Sequence, residues 1–317
     1  MWIPLMTRIA ICWSGQSRIQ HLNDIENNQY DCWNRIWDLH QYLFQDFEVV
    51  DHFGHTWNDQ ALPPNVNDFK LIRQTDQNDI LDWVIKEPST RAQFTFSASQ
   101  NKQQGVRNNT KLWQSATTKE KWDVMLEMQK PIWGQYWSFF DIAGEVSQYS
   151  GYDYIIKTRW DAYFLHEKLE EYQEQTRQEL MNLMKNIIGQ AYHRDIAYDF
   201  DRGTVYTANG IKTKFRSSFI PDFMFVIPNS EKSRVQMHRL FHEGAEVTLS
   251  KAVSKIYNNY VAPWDSSGHG LWSDLFTNLG LSIRPGWTHP LQKYRTHREW
   301  HKYWETDYPN KKGEQND

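Results

Sequence analysis

Along the first two hundred residues, short apolar runs alternate with longer stretches in which apolar positions recur at helical spacing. That alternation predicts a layered α/β architecture. The run RIAICW at 8–13 reads as a buried strand, followed by the turn SGQSR at 14–18. Across 19–45 the apolar positions Ile25, Trp33, Ile36, Trp37, Leu39, Tyr42 and Leu43 fall roughly three and four apart, which predicts a helix. FEVVDHFGHTW at 47–57 then supplies a second strand and the loop after it. Strand, helix, strand is how an α/β unit begins.

Polar text with Pro63-Pro64 follows, and NDFKLIRQ at 67–74 hints at another short strand before a short helix at 78–86. SASQNKQQGVRNNTK at 97–111 reads as a surface loop or lid, and 119–149 as mostly helical with a break near Lys130-Pro131. YDYIIKTRWDAYF at 152–164 is an apolar strand that ends abruptly in Arg159 and Asp161. The clearest helix is 165–188, where Leu165, Leu169, Tyr172, Thr176, Leu180, Leu183 and Ile187 draw one stripe. IAYDF, TVYTA and SSFIPDFMFVIP suggest further strands, 230–260 one or two helices, and 264–280 a loop running into a short helix. No internal repeat interrupts this succession. It predicts a single α/β domain over 1–308 and a frayed tail at 309–317.

Composition narrows the functional classes. Lys and Arg total 35 against 39 Asp and Glu, a formal charge of -4, so no general basic field for nucleic acid is expected. Trp, Tyr and Phe number 16 each, which suits an aromatic-lined sugar or base site but is explained more economically by bulky core packing. Cys12 and Cys32 are the only cysteines, which points away from a disulfide scaffold and toward a reducing, cytoplasmic setting. The start MWIPLMTRIAICWSG reads as a first strand, and no stretch reaches eighteen uninterrupted apolar residues, so any membrane association is expected to be peripheral.

Candidate chemistry gathers where strands end, because ligands of open α/β sheets bind at the carboxyl edge of the strands. Asp161 is a candidate to hold a divalent metal or to bind a sugar hydroxyl; the alternative is an internal Arg159–Asp161 pair that caps the sheet. In CWSGQSR, backbone N–H groups near Ser14 and Gly15 together with Arg18 could receive phosphate. The turn nevertheless matches neither the dinucleotide fingerprint nor the phosphate-binding loop, and a tight strand-to-helix turn is the simpler reading. His52 and His55 have a spacing that permits metal binding, although a histidine bonded to backbone is the commoner outcome. Asp222, alone in apolar FIPDFMFVIP, is a candidate acceptor contact or general base, or else a turn-fixing carboxylate. Asp265, His269 and Asp274 present the same ambiguity.

Taken in order, RIAICWSGQSR, VVDHFGHTW, GQYWSFFDIAGEV at 134–146, YDYIIKTRWDAYF and IPDFMFV at 221–227 resemble the nucleotide-diphospho-sugar transferase-like glycosyltransferases of bacteria and viruses. The likeness spans most of 8–227. It implies a GT-A-like, Rossmann-type fold with helical C-terminal elaborations, a donor-binding part over about 8–164 and an acceptor part over about 165–308. It further implies a nucleotide-sugar donor, a glycan or other carbohydrate acceptor, and a divalent cation, Mn²⁺ or Mg²⁺. In that reading Ser14, Gly15 and Arg18 lie near the nucleotide, His55 and Trp57 close part of its pocket, and Gln135 and Ser138 sit on a helix feeding the same site. Arg159-Trp160-Asp161 stands where these enzymes present Asp-x-Asp, with the first acid replaced. Asp161 would then contact metal alone or with a remote ligand, or Arg159 would neutralise phosphate directly. A carbohydrate-binding or assembly protein without transferase activity and a metal-dependent phosphohydrolase are the rival expectations.

Overall fold

Strand β1 (Arg8–Ser14) is buried along its whole length except for Arg8, as a central parallel strand covered on both faces must be. In the computed structural model, which describes residues 7–17, 32–77, 134–149, 151–164, 169–193, 204–208, 223–230, 233, 272, 276 and 280–293, it is an interior strand, third in a seven-stranded sheet. The order is β3 (Phe69–Thr75), β2 (Val49–Trp57), β1, β4 (Tyr154–Arg159), β7 (Met224–Pro228), β6 (Thr204–Ala208), β8 (Ser282–Trp287). Strands β3, β2, β1 and β4 run parallel. Strand β7 is antiparallel to both its neighbours β4 and β6, and β8 is parallel to β6. A second, two-stranded sheet pairs β5 (Ala162–Tyr163) with β9 (Gln292–Lys293).

Among the described residues, three helices cover the sheet. On one face, α1 (Cys32–Phe44) and α3 (Leu169–His193) bring Trp33, Ile36, Leu39, Leu43, Leu180 and Met184 against Ile9, Ile11, Trp13, Ile156 and Val226. On the other, α2 (134–147) packs Phe139, Phe140, Ile142, Ala143 and Val146 against Ala10, Cys12, Phe53, Ile155 and Phe225. The alternation follows from the period of two in each strand. Tyr42 and Arg177 meet Glu174, and Arg177 also meets Asp46, which fastens α3 to α1 through polar contacts. Much of the tryptophan is core: Trp13, Trp33, Trp57, Trp160 and Trp272 are fully buried. Among the described residues no helix is long and apolar enough to cross a membrane.

The expected mixed α/β fold is present, and strands are found within the stretches predicted at 8–13, 47–57, 67–74 and 152–164 and in TVYTA and SSFIPDFMFVIP, where β7 takes up the last five residues. The helix read over 165–188 is observed as Leu169–His193. Strand β8, SIRPGW, was not foreseen. Its Pro285 lacks the amide a central strand would need, and the strand is tolerated because it lies at the sheet edge. Gly286 is required there by close approach, since a Cβ would stand 2.8 Å from Leu183 Cδ2 and 3.2 Å from Tyr206 Cβ. The short helix at 78–86, the loop at 97–111, the strand IAYDF and the tail at 309–317 lie outside the described residues.

Candidate functional site at the carboxyl edge of the sheet

Successive strands are laid on the same side of β1 as far as β3; the chain then crosses to the opposite side to form β4. The crevice between β1 and β4 is therefore a topological switch point, where an open α/β sheet leaves room for a ligand. Register brings three strand ends together there: Ser14 of β1 is opposite His55 of β2 on one side and Arg159 of β4 on the other. A small, partly open cleft lies at this point. Ser14, Gly15, Trp57, Gln135 and Arg159 line it, and Gln16 and Gln77 complete its wall.

The turn after β1 is held from beneath. Gly15 adopts φ +97°, a left-handed conformation that favours glycine. Its N–H donates to Ser138 Oγ at 2.6 Å, and Ser14 Oγ donates to the Thr158 carbonyl at 3.2 Å. Ser138 Oγ also lies 2.9 Å from His55 Nδ1, while His55 Nε2 lies 2.9 Å from Thr75 Oγ1. A chain of bonds thus runs from β3 through β2 and α2 to the turn. Burial, reinforced by the nearby Arg73 guanidinium, lowers the His55 pKa to about 3, so the ring is neutral at ordinary pH. His55 accordingly acts on the cleft through Ser138 and through its edge-on contact with Trp57, at 5.1 Å between ring centroids. Gly134 leaves space for Trp57, whose Cζ2 would stand 2.8 Å from an added Cβ.

The residues of KTRWD divide by side. Trp160 turns into the core among Trp13, Trp33 and Phe69, and its indole N–H donates to the His55 carbonyl at 3.0 Å. Arg159 and Asp161, two residues apart, face each other: Nε–H and Nη2–H donate to Oδ1 at 2.8 Å and Oδ2 at 2.9 Å. Asp161 is 1% exposed, whereas the Arg159 side chain is 14% exposed and stacks against the Phe223 ring at 4.5 Å. This is the internal pair that the sequence allowed as an alternative to metal binding. Asp161 does not fit the part of a cation ligand in this arrangement, because both its oxygens are engaged by the guanidinium and it is shut off from the cleft. Among the described residues, no group of three or more His, Cys, Asp or Glu could hold a metal ion.

His52 and His55 do not form a chelating pair. Three residues apart on a strand, they point to opposite faces of the sheet. His52 Nδ1 accepts from the Trp13 indole N–H at 3.0 Å, and burial, with His40 close by, lowers its pKa to about 3.

The structure therefore brings Ser14, Gly15, Trp57 and Arg159 into one cleft, with His55 one layer behind and Asp161 behind Arg159. Arg18, Asp222, Asp265, His269 and Asp274 lie outside the described residues. Gln16 and Gln77 are the lining residues that sequence reasoning passed over. Both follow parallel strands, β1 and β3, and the rule that flagged Ser14 would have found them had amides been counted as ligand-binding groups.

Fold and cleft together define a mixed α/β fold with a cleft at its switch point. No family model matches the chain, and neither a curated protein nor a solved structure is significantly similar to it.

Proposed function

We propose that the chain is a glycosyltransferase of GT-A type, moving a sugar from a nucleotide-activated donor to a glycan or other carbohydrate acceptor. The observation that carries this reading is the convergence of Ser14, Gly15, Trp57, Gln135 and Arg159, from four separate stretches of sequence, on one cleft at the switch point. The sheet is compatible with it: β3, β2, β1 and β4 form a parallel half with the switch point that a Rossmann-type reading expects. The lining suits the ligand in kind. Three glutamine amides and a tryptophan offer hydrogen bonds and a flat surface to a base or sugar, and an arginine offers charge to phosphate.

In this reading the glycosidic carbon of the donor bonds to the acceptor hydroxyl oxygen as its bond to the diphosphate oxygen breaks. The electron pair stays on the diphosphate, and the acceptor proton leaves to a base. Asp222 is the proposed acceptor contact or base; the residue after it, Phe223, lies against Arg159. Calorimetric titration of the full chain with nucleotide sugars, followed by assay of sugar transfer to simple glycosides, tests the proposal. Binding of at least one donor, lost in Arg159→Ala, is expected. Folded protein that binds no common nucleotide sugar would sink the idea.

The closed Arg159–Asp161 pair favours one second reading, a carbohydrate-binding protein that retains the cleft without transfer. Glycan binding that persists without any nucleotide, alongside failed turnover, distinguishes it.

A further inference from the structure

Resting on the nucleotide-sugar reading of the cleft, we infer that Arg159, steered by Asp161, is the group that meets the donor diphosphate, and that nucleotide binding here needs no divalent cation. Three observations carry this. First, among the described residues lining the cleft, Arg159 is the charged one; it stands at the end of β4 opposite Ser14 and beside the Gly15 turn. Second, the guanidinium is fixed before any ligand arrives. Asp161 holds its Nε/Nη2 edge with two bonds, and the Phe223 ring lies against its face at 4.5 Å. A planar fork oriented in this way loses little freedom on meeting a phosphate. Third, the acid that a metal-dependent site would use is committed elsewhere: Asp161 is buried with both oxygens bonded to Arg159, and drawing it to a cation would break those two bonds.

The chemical consequence concerns the leaving group. As the glycosidic carbon–oxygen bond breaks, negative charge grows on the diphosphate oxygen that keeps the electron pair. A fixed guanidinium in a partly dehydrated cleft attracts that charge more strongly than it attracts the intact donor. Asp161 in this scheme is a positioning residue, acting on phosphate through the orientation of Arg159.

The test is calorimetric titration of the full chain with UDP, GDP, CDP, ADP and dTDP, and with the matching nucleosides, first in EDTA and then in Mn²⁺ or Mg²⁺. At least one diphosphate is expected to bind in EDTA, with an affinity that metal changes by less than about threefold. Arg159→Lys, which keeps the charge and loses the fork, should weaken that diphosphate about tenfold or more while leaving the nucleoside within about twofold. Asp161→Asn, which keeps the shape, should fall between the two; circular dichroism establishes that each variant is folded. Binding that appears only with metal overturns the inference and leaves the nucleotide-sugar reading standing. Equal losses for nucleoside and diphosphate in Arg159→Lys also overturn it, since they would mark Arg159 as a structural support. Absence of nucleotide binding under every condition removes the underlying reading itself.

Discussion

Gly15 and Gly54 show how single backbone positions set the cleft. At Gly15 there is room for a side chain, because an added Cβ would meet Gln135 Cγ at an ordinary 3.8 Å, so the obstacle is the φ of +97° alone. Gly15→Ala should cost about 1 kcal/mol in urea denaturation and, by twisting the turn off Ser138, should weaken ligand binding further than the stability loss accounts for. At Gly54 the reverse holds. The backbone is ordinary strand, but a Cβ would stand 2.9 Å and 3.0 Å from Trp160 and 3.3 Å from Ile72. Gly54→Ala should therefore cost about 1–3 kcal/mol, read as a lower midpoint of thermal unfolding. Because Trp160 separates Arg159 from Asp161, the same variant should loosen their bond as well. Sequence shows both glycines but not which constraint each answers: one is local geometry, the other a contact with a residue more than a hundred positions away.

Three neutral histidines belong to two adjoining elements, His40 on α1 and His52 and His55 on β2. Burial lowers them to about 4, about 3 and about 3, from an ordinary value of 6.5. The unfolded chain takes up protons on these rings below pH 6.5, while the folded chain resists until pH 4 to 3. Unfolding therefore binds protons in that window, and stability must fall as the pH drops through it, by about 1.4 kcal/mol per pH unit for each ring. Urea midpoints measured between pH 7 and pH 4 should decline steadily, and His52→Gln should flatten part of that slope. At this scale the chain was partly legible. Strand β1 announced itself because a central parallel strand is apolar on both faces, and β4 through its apolar start Tyr154, Ile155 and Ile156. Strand β8 did not, since an edge strand can carry Pro285 and exposed polar positions that read as loop. The HxxH spacing misled for a related reason: ligand spacing has meaning only once the element is known, and on a strand it separates the rings.

Across the molecule, the sheet is closed by residues distant in sequence. Strand β8 pairs with β6, β9 with β5, and Thr288 accepts a role beyond the sheet by donating its N–H to Glu179 on α3 at 2.6 Å. Truncation after Leu281 would strip β6 and β5 of these partners, so the shortened chain should lose its single cooperative transition, seen as a broadened urea curve with a smaller slope. If the cleft is the donor site, ligand binding should register at the same scale: a nucleoside diphosphate at a hundred times its dissociation constant should stabilise the fold by about 2.7 kcal/mol, visible as a raised melting temperature. The α/β class was readable from alternation alone. The strand order was not, because pairing between β4, β7 and β6 is decided by long-range packing that no local pattern encodes.

The reversed strand β7 has a consequence for how such a site can diversify. Thr158, near the end of β4, pairs with Met224 at the start of β7, so the cleft rim is built where one strand leaves the sheet and another arrives. In an all-parallel sheet every rim loop would follow a strand of the donor half. Here β7 enters the sheet in the reverse direction, and Phe223, just ahead of it, stands against Arg159. On the glycosyltransferase reading, changing the sequence ahead of Met224 is therefore expected to alter which acceptor is taken while the nucleotide preference stays constant, as donor and acceptor competition assays on such variants would read.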